Sequence, residues 1–589
     1  MKNVALWCLS ALIIAQIGLP GGGACSGGET PPLLVDRDID AITGELETAI
    51  PALMEAAHIP GLQIALVRGG AVVWEKGFGV KNSVTGGPVT EETIFEAASL
   101  TKPFFASAVM KMVDEGLIDL DKPLHTYLPR ERVEEELGHP IDAEGFNRNW
   151  FEHITPRHVL SHSAGTPHGE GGETYPLFFE PGAKWKYSAG GYHFLQLVVE
   201  HLKGQRLEAI IDEYILVPLG MKRSCMVWRD GYEETMAAGH DAFGNPQDFR
   251  RRREAHAAAT LYTTAGEYAR FVCAVLNGEG LTEKTHREML ASCIEMNDEW
   301  NLDWSLGFGL QTDGNGTAIW QWGDYGIFRN YIIAYPEHKI GVVYLANSFN
   351  GLSICSNLVA MSVGGRASGN EALEYIPYDS PLYTLFRDIN ENGPDVAKQR
   401  LPGLMKEQPE HATPERIRGI SGLFEEQRMF AEAIAIYECI LAENPRSGRT
   451  MFDLARTHLG AGDRARAREL YRESLEAPED TVVTATVEWA MDYIKALEEP
   501  VRLDEAYLRK LAGDYDTRHL TVKDGALFYF RDNVGSDEPR PLLALTRDTF
   551  VMEGYVFFKL KVEFDAEGNP AKLIGLYDSG SRDESVRSE

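Results

Sequence analysis

A serine and a lysine three residues apart open an amphipathic stretch, in the run Ser99-Leu100-Thr101-Lys102. A helix that begins near Ser99 would place Lys102 one turn further along the same face. A serine hydroxyl is a weak nucleophile at neutral pH, and a lysine becomes its base where burial lowers the pKa of the amine. The start of the helix would also favour an oxyanion beside the Ser99 amide. The spacing predicts a nucleophile with its base, but two fixed positions alone are a common pattern.

Tyr187 follows a turn that contains Pro181 and Gly182, and a second helical stretch comes after it. A phenol held between Ser99 and Lys102 could pass the serine proton to a leaving group. A tyrosine of the hydrophobic core is the other interpretation. Tyr187 is therefore a candidate for the third member of the site.

The elements around these residues alternate amphipathic helices with apolar strands. Two apolar segments on either side of Gly69-Gly70 predict one β-hairpin, and residues 329–335 with 340–347 predict another. Antiparallel strands thus occur at both ends of the region, with helices between them. This order predicts an α+β catalytic domain over residues 36–370.

Several longer motifs occur in a fixed order around Ser99 and Tyr187. They are Ser99-Leu100-Thr101-Lys102-Pro103-Phe104, Gly116-Leu117-Ile118-Asp119-Leu120-Asp121-Lys122-Pro123, Ile154-Thr155-Pro156-Arg157-His158-Val159-Leu160-Ser161-His162-Ser163-Ala164-Gly165 and Pro218-Leu219-Gly220-Met221. Together they resemble the class C β-lactamase, D-aminopeptidase and family VIII-type esterase branch of the penicillin-recognising enzymes, over roughly residues 36–365. The resemblance implies an antiparallel sheet beside a helical lobe, an acyl-enzyme on Ser99, and base and acid duties shared by Lys102 and Tyr187. It implies no cofactor and no metal.

A third motif of this family is expected on the strand that lines the site. We identify it as Trp320-Gln321-Trp322-Gly323-Asp324. The resemblance implies that the backbone amides of Ser99 and Asp324 form the oxyanion hole, and that Gln321, Trp322 and Gly323 lie against the substrate. Trp320 and Trp322 share one face of the strand, where a hydrophobic rim and core packing are equally good interpretations.

Two positions depart from the family pattern and bear on the substrate. Ala189 stands where the family has an asparagine that contacts the substrate, and Gln321 stands where it has a lysine or histidine. Gln321 thereby removes a cation that faces the substrate carboxylate in penicillin-binding relatives. Arg329 is a candidate to replace that cation. We therefore count Ala189, Gln321 and Arg329 among the candidate substrate-binding residues.

These observations predict a serine hydrolase that acts on small esters, D-amino-acid amides or peptides. The proton-handling residues are intact while carboxylate recognition is altered, which favours such substrates over β-lactams. A β-lactamase or DD-peptidase acting on penicillin-like or cell-wall substrates is one alternative. A catalytically weak binding or scaffold protein is the other, because fold resemblance alone does not settle function.

The sequence pattern of residues 381–498 predicts consecutive helices without strands, and it contains an internal repeat of 34 residues. Ala433, Tyr437 and Leu441 recur as Ala467, Tyr471 and Leu475. This period resembles tetratricopeptide repeats, which implies a helical segment with a candidate protein partner. Two units are few for such an array, so neighbouring elements must cover their faces. A plain helical spacer is an equally good interpretation.

Short apolar segments separated by turn residues fill residues 503–580. They predict a small antiparallel β barrel or sandwich. Residues 579–589 are charged and lack an apolar pattern, so we expect a disordered tail there.

Residues 1–24 have the pattern of an export signal, with Lys2 ahead of an apolar stretch and small residues before Cys25. The apolar stretch is short for a membrane span. The small residues resemble a bacterial lipoprotein cleavage site, although Gly22 stands where such sites usually carry leucine. We expect an exported bacterial protein, periplasmic or anchored to the membrane by lipid at Cys25, with plain secretion as the alternative to the anchor.

The net charge of −31 repels phosphate backbones and disfavours nucleic-acid binding. The basic run 250–253 lies beside a turn, and we expect it to be a solvated loop without a role. His158 and His162 are four residues apart, but no third metal ligand accompanies them. The cysteines after Cys25 lack C-x-x-C spacing and are expected to be small buried hydrophobes rather than disulfides or zinc ligands.

Overall fold

A computed structural model describes residues 30–143, 145–168, 177–480, 482–532, 539–578 and 582–588. The expected export signal and Cys25 lie outside these residues. The described chain forms two compact units, one ending at Ser380 and the other starting at Pro381. Each unit is described separately. Within the described ranges, no helix is both long and apolar enough to cross a membrane.

Most strands of the first unit belong to one large antiparallel sheet. The strands of this unit are β1 Gly61–Arg68, β2 Ala71–Asn82, β3 Gly86–Pro88, β4 Phe95–Glu96, β5 Tyr262–Thr263, β6 Ile294–Asn297, β7 Leu302–Trp304, β8 Gly309–Asp313, β9 Gly316–Asp324, β10 Arg329–Tyr335 and β11 Ile340–Ala346. Nine of them pair in the order β3-β2-β1-β11-β10-β9-β8-β7-β6, while β4 and β5 form a separate pair. Both hairpins expected from the sequence, β1–β2 and β10–β11, are confirmed.

Helices cover both faces of this sheet. They are α1 Ile39–Ala56, α2 Thr101–Asp114, α3 Arg130–Leu137, α4 Arg148–Phe151, α5 Pro156–Leu160, α6 Gly190–Lys203, α7 Leu207–Ile211, α8 Tyr232–Thr235, α9 Ala265–Asn277, α10 Glu283–Leu290, α11 Cys355–Ser362 and α12 Ser368–Ala372. Strand β1 is buried on both sides, which explains its unbroken apolar run. Ile64 and Leu66 pack with α1 and α11, whereas Ala65 and Val67 face the core that contains α2, α6 and α9.

The start of α2 is built on a strained turn. A 3₁₀ turn, Ala98–Leu100, precedes the helix, and Ala98 has φ 51°, a left-handed conformation that residues with a Cβ rarely adopt. Thr101 holds the turn, because its hydroxyl donates to the Ala98 carbonyl at 2.7 Å and accepts from the Leu261 amide at 3.0 Å. Pro103 fits in the first turn of α2, where an amide has no partner to lose.

The second unit begins with a helical array. Its helices are α13 Pro381–Asn392, α14 Asp395–Glu407, α15 Pro414–Glu426, α16 Phe430–Glu443, α17 Gly448–Gly460, α18 Arg464–Glu476, α19 Thr484–Glu498 and α20 Glu505–Leu511. The repeated residues occupy equivalent places on α16 and α18, with Ala433, Tyr437, Ala467 and Tyr471 all buried.

A meander of eight strands follows the helices. The strands are β12 Gly513–Tyr515, β13 Arg518–Lys523, β14 Ala526–Arg531, β15 Arg540–Ala544, β16 Thr549–Met552, β17 Tyr555–Phe564, β18 Pro570–Tyr577 and β19 Arg582–Val586. Each pairs with the next, and a bridge between Tyr515 and Arg587 nearly closes the sheet into a barrel. Helix α19, which packs against α18, also contacts the barrel, since Lys559 of β17 pairs with Asp492 of α19 at 2.7 Å.

Two local expectations from the sequence were wrong. Residues 582–586 are not a disordered tail but the last strand of the barrel, where pairing with β18 supplies the order that their charged side chains do not indicate. Arg250 is not solvated. Its guanidinium is mostly buried, lies 3.8 Å from the Glu96 carboxylate and donates to the Tyr325 carbonyl at 3.0 Å. The cysteines of the described residues are free. Cys225, Cys273, Cys355 and Cys439 are buried as expected, whereas Cys293 is partly exposed.

Candidate active site

The start of α2 brings Ser99 and Lys102 together. The Lys102 amine lies 3.1 Å from the Ser99 hydroxyl and donates to the Ala258 carbonyl at 2.9 Å. Ser99 is partly exposed, whereas Lys102 is buried. The helical spacing expected from the sequence thus places the amine within hydrogen-bond reach of the hydroxyl, while the hydroxyl stays accessible to a substrate.

Burial makes Lys102 an unusual lysine. It lowers the pKa of the amine from its ordinary value to about 7. The rings of Tyr187 and Tyr192, at 4.7 and 5.6 Å from the nitrogen, replace water around it. An amine with a pKa near 7 is uncharged in a large fraction of molecules at neutral pH. It can therefore accept the proton of Ser99.

Two neighbouring rings pack closely against Tyr187. The ring centroid of His162 is 4.2 Å from that of Tyr187, and the ring centroid of Trp322 of β9 is 4.5 Å away. The loop is fixed as well, since the Ser188 amide donates to the His162 ring at 3.2 Å and the Lys186 amide donates to the His162 carbonyl at 2.8 Å. Packing and hydrogen bonds therefore define the position of the phenol.

The phenol of Tyr187 is hydrogen-bonded to Ser99 and to Gln321. Burial raises the pKa of Tyr187 above its usual range, and these two hydrogen bonds offset only part of the effect. Tyr187 is therefore a neutral phenol at physiological pH. It is suited to donate a proton, while Lys102 is suited to accept one.

Strand β9 passes very close to the nucleophile. A Cβ at Gly323 would clash with the Ala97 carbonyl, so only glycine allows this approach. The strand is tied to the same segment through Asn330 of β10, whose amide donates to the Glu96 carbonyl at 3.0 Å. The end of β9, where Asp324 lies, is thereby brought beside the turn that carries Ser99.

Both carboxylate oxygens of Asp324 have hydrogen-bond partners. The carboxylate accepts from Tyr375 at 2.6 Å and from the Gly326 amide at 2.6 Å, and it pairs with Arg329 at 3.1 Å. Arg329 also donates to the Phe349 carbonyl at 2.7 Å and lies over the Phe349 ring. Contact between Arg329 and a substrate carboxylate would compete with this ion pair.

The remaining predicted site residues, Gln321, Trp322 and Ala189, are all at least partly buried. Gln321 is 0% exposed, and Trp322 is 3% exposed and packs in the core with Trp320. Ala189 is partly buried at the N-terminal end of α6. For the two tryptophans the structure thus favours core packing over a hydrophobic rim.

Two groups of this site were not found from the sequence. His168 lies 5.7 Å from the Tyr187 ring, and burial, helped by the Lys102 charge, lowers the pKa of its imidazole to about 4. Tyr375 reaches Asp324 from beyond the predicted end of the catalytic domain at residue 370. Neither has a local sequence signal, because distant segments bring them to the site.

The two histidines that are four residues apart have structural contacts. His158 caps the start of α5 with Thr155, and His162 packs on Tyr187. In the described ranges no three histidine, cysteine, aspartate or glutamate side chains are grouped so that they could hold a metal ion.

The sheet, the helical lobe and the grouped serine, lysine and tyrosine define the class of serine β-lactamase-related proteins. Residues 46–354 match the sequence profile of the beta-lactamase family, and the chain belongs to that family. Residues 425–483 match the tetratricopeptide repeat profile, which confirms the helical repeat.

Similar proteins of known sequence include enzymes and penicillin-binding proteins. Esterase EstB of Burkholderia gladioli is 28% identical over 39% of this chain and 64% of its own length. Penicillin-binding protein 4* of Bacillus subtilis is 22% identical over 51% of this chain and 71% of its own. The chain thus spans just under two thirds of the esterase. The octameric penicillin-binding protein homologue from Pyrococcus abyssi is 19% identical, with a TM-score of 0.46 over 92% of this chain and 99% of that structure.

Proposed function

We propose that this protein is a serine hydrolase that forms an acyl-enzyme on Ser99 with small esters, D-amino-acid amides or peptides. The observation that carries the proposal is the 3.1 Å approach of a buried, readily deprotonated Lys102 to the Ser99 hydroxyl. The Tyr187 phenol beside them supplies the acid. Similarity to an esterase supports the same reaction class.

In the proposed reaction, Lys102 removes the Ser99 proton as the oxygen attacks the substrate carbonyl. The amides of Ser99 and Asp324 stabilise the oxyanion, and Tyr187 protonates the leaving group. Water then attacks the acyl-enzyme with the same groups in reverse order. The roles of Ala189, Gln321, Trp322, Gly323 and Arg329 in holding the substrate belong to this proposal.

Neutral esters are the preferred substrates in this proposal. The position of the family's carboxylate-binding cation is occupied by Gln321, a neutral amide, and the guanidinium of Arg329 is paired with Asp324. A substrate carboxylate would lose its hydration without gaining a free cation at either of these two positions. Penicillins carry such a carboxylate, so β-lactam turnover and DD-peptidase activity are the weaker alternatives.

The location and partners of the protein are part of the proposal. We propose export from the cytoplasm with Cys25 as a candidate lipid anchor, which follows from the leader pattern of the sequence. The helical repeats are proposed to contact a protein partner.

Intact-mass spectrometry of the protein without residues 1–24 tests the function. The wild type should gain one adduct with a fluorophosphonate, and more slowly with a labelled penicillin, because only the second needs a carboxylate site. Ser99→Ala should lose both adducts. Ser107→Ala, on the same helix, is the control that should keep them. A wild type without any adduct would support the weak binding or scaffold alternative instead.

A further inference from the structure

The side-chain nitrogen of Gln321 lies among three oxygen atoms. These are the Tyr187 phenol oxygen at 3.1 Å, the Trp322 carbonyl at 3.0 Å and the Ser99 carbonyl at 3.5 Å. Backbone carbonyls only accept hydrogen bonds, so the amide must turn its NH₂ group towards this cluster. Gln321 therefore donates to the phenol oxygen, and Tyr187 cannot donate to Gln321.

The direction of this bond decides where the Tyr187 hydrogen points. A phenol has one hydrogen, and among the described residues the Ser99 hydroxyl is the other hydrogen-bond partner of Tyr187. When Lys102 is deprotonated, its amine can accept the Ser99 hydrogen across the 3.1 Å between the two atoms, while it donates to the Ala258 carbonyl at 2.9 Å. The donors thus run in one direction, from Gln321 through Tyr187 and Ser99 to Lys102.

We propose that Gln321 is a positioning residue that donates to the Tyr187 phenol oxygen and so reserves the phenol hydrogen for the leaving group. This inference rests on the proposed function. In acylation of an ester, the bond from Ser99 Oγ to the carbonyl carbon forms while the Ser99 proton moves to Lys102. The bond from that carbon to the alcohol oxygen breaks, and the alcohol oxygen takes the Tyr187 proton. Lys102 then reprotonates Tyr187, so one proton leaves with the alcohol.

A buried amide can hold the Tyr187 phenol in place without adding charge to the site. Gln321 is 0% exposed, and among the described residues its oxygen has no hydrogen-bond partner, so its hydrogen bonds there are donated. A cation at this position would favour the phenolate by attraction. The neutral amide leaves Tyr187 a phenol, which is the form that a poor leaving group requires.

The test compares esters of one short acyl group with leaving groups of increasing basicity, such as 4-nitrophenyl, phenyl and ethyl esters. In Gln321→Met, kcat for the ethyl ester should fall about 100-fold and kcat for the 4-nitrophenyl ester less than about fivefold, because only the alkoxide needs an acid. Gln321→His, which restores an N–H donor, should recover part of the loss. Gln311→Met, the same change at a buried glutamine of β8, should leave the ratio of the two rates unchanged.

Fluorophosphonate labelling of Ser99 separates this inference from the function on which it rests. Fluoride leaves without a proton donor, so Gln321→Met should be labelled at a rate within about threefold of the wild type. Equal losses for all esters and for labelling, a change in KM alone, or no change would each overturn the inference while leaving the hydrolase intact. Absence of labelling in the wild type would overturn both.

Discussion

Lys102 is stabilised in its site by packing and hydrogen bonds rather than by charge. Among the described residues no carboxylate pairs with it, and its pKa is lowered by burial alone. The unfolded chain binds this proton up to a pH of about 10.4, and the folded chain releases it near 7. The folded state is therefore penalised below pH 7, and stability is regained as the pH rises from about 7 to 10.5.

Lys102→Met should abolish activity and stabilise the fold. At pH 6 we expect the free energy of unfolding to rise by about 3 kcal/mol, since the buried charge is gone while the Ala258 hydrogen bond is lost. The gain should shrink towards pH 10. Urea unfolding at several pH values measures it. Lys203→Met, which removes a lysine whose pKa is raised by Glu213, is the control and should not stabilise. An unfolding free energy at pH 6 equal to or below that of the wild type would contradict the proposed burial of the charge.

Some members of the candidate site could be identified from the sequence, and others could not. Ser99, Lys102 and Tyr187 lie in motifs with fixed spacing, so residue type and order were enough to indicate a site. His168 and Tyr375 carry no motif, and their position depends on how remote segments pack. Gln321 was identified by position, but its hydrogen bond to the phenol depends on side-chain geometry that a sequence does not contain.

Among the elements, the approach of β9 to the turn that carries Ser99 determines the geometry of the proposed oxyanion hole. Gly323 is the contact point, where any Cβ meets the Ala97 carbonyl and the Leu100 side chain. Ala98 is already in a strained conformation in that turn. A displacement of β9 would therefore move the Asp324 amide relative to Ser99 and disturb the turn itself.

Gly323→Ala should lower the rate of Ser99 labelling at least about tenfold, because a shift of less than about 1 Å misplaces the oxyanion donors. The cost in stability should be about 1–3 kcal/mol, as for other overpacked sites. Labelling rate and thermal unfolding measure both effects. Gly314→Ala is the control, since a Cβ at Gly314 meets nothing within 4 Å. Unchanged labelling in Gly323→Ala would mean that β9 does not supply the oxyanion hole.

The hairpins, the helical repeat and the barrel strands were predictable as elements because their periodicity is local. The sheet order was not, since β1 pairs with β11 across most of the unit. Residues 582–586 were also missed, because a charged edge strand has no apolar alternation and is ordered by its partner.

In the molecule as a whole, the residues that we propose to handle the proton belong to one unit. The described partners of Ser99, Lys102, Tyr187 and Asp324 all lie before Pro381. The helical array and the barrel form a separate unit, in which α19 and β17 are joined by the Lys559 ion pair.

A chain ending at Ser380 should therefore label at Ser99 within about twofold of the full-length rate. A chain ending at residue 370 should label more slowly, because it lacks Tyr375 and leaves Asp324 with one hydrogen-bond donor fewer beside the proposed oxyanion hole. Tyr375→Phe in the full-length protein is the matched control and should reproduce the direction of that loss. Equal rates for both shortened chains would remove Tyr375 from the site.

The family motifs, the candidate site residues Ser99, Lys102 and Tyr187, and the repeat and strand segments could be read from the sequence, because they depend on residue type and short-range spacing. Only the folded structure shows that Lys102 is buried with no carboxylate beside it among the described residues, that Arg329 is paired with Asp324, and that Gln321 donates to Tyr187. Burial and pairing depend on which distant segments share a low-dielectric interior, and local spacing does not encode that.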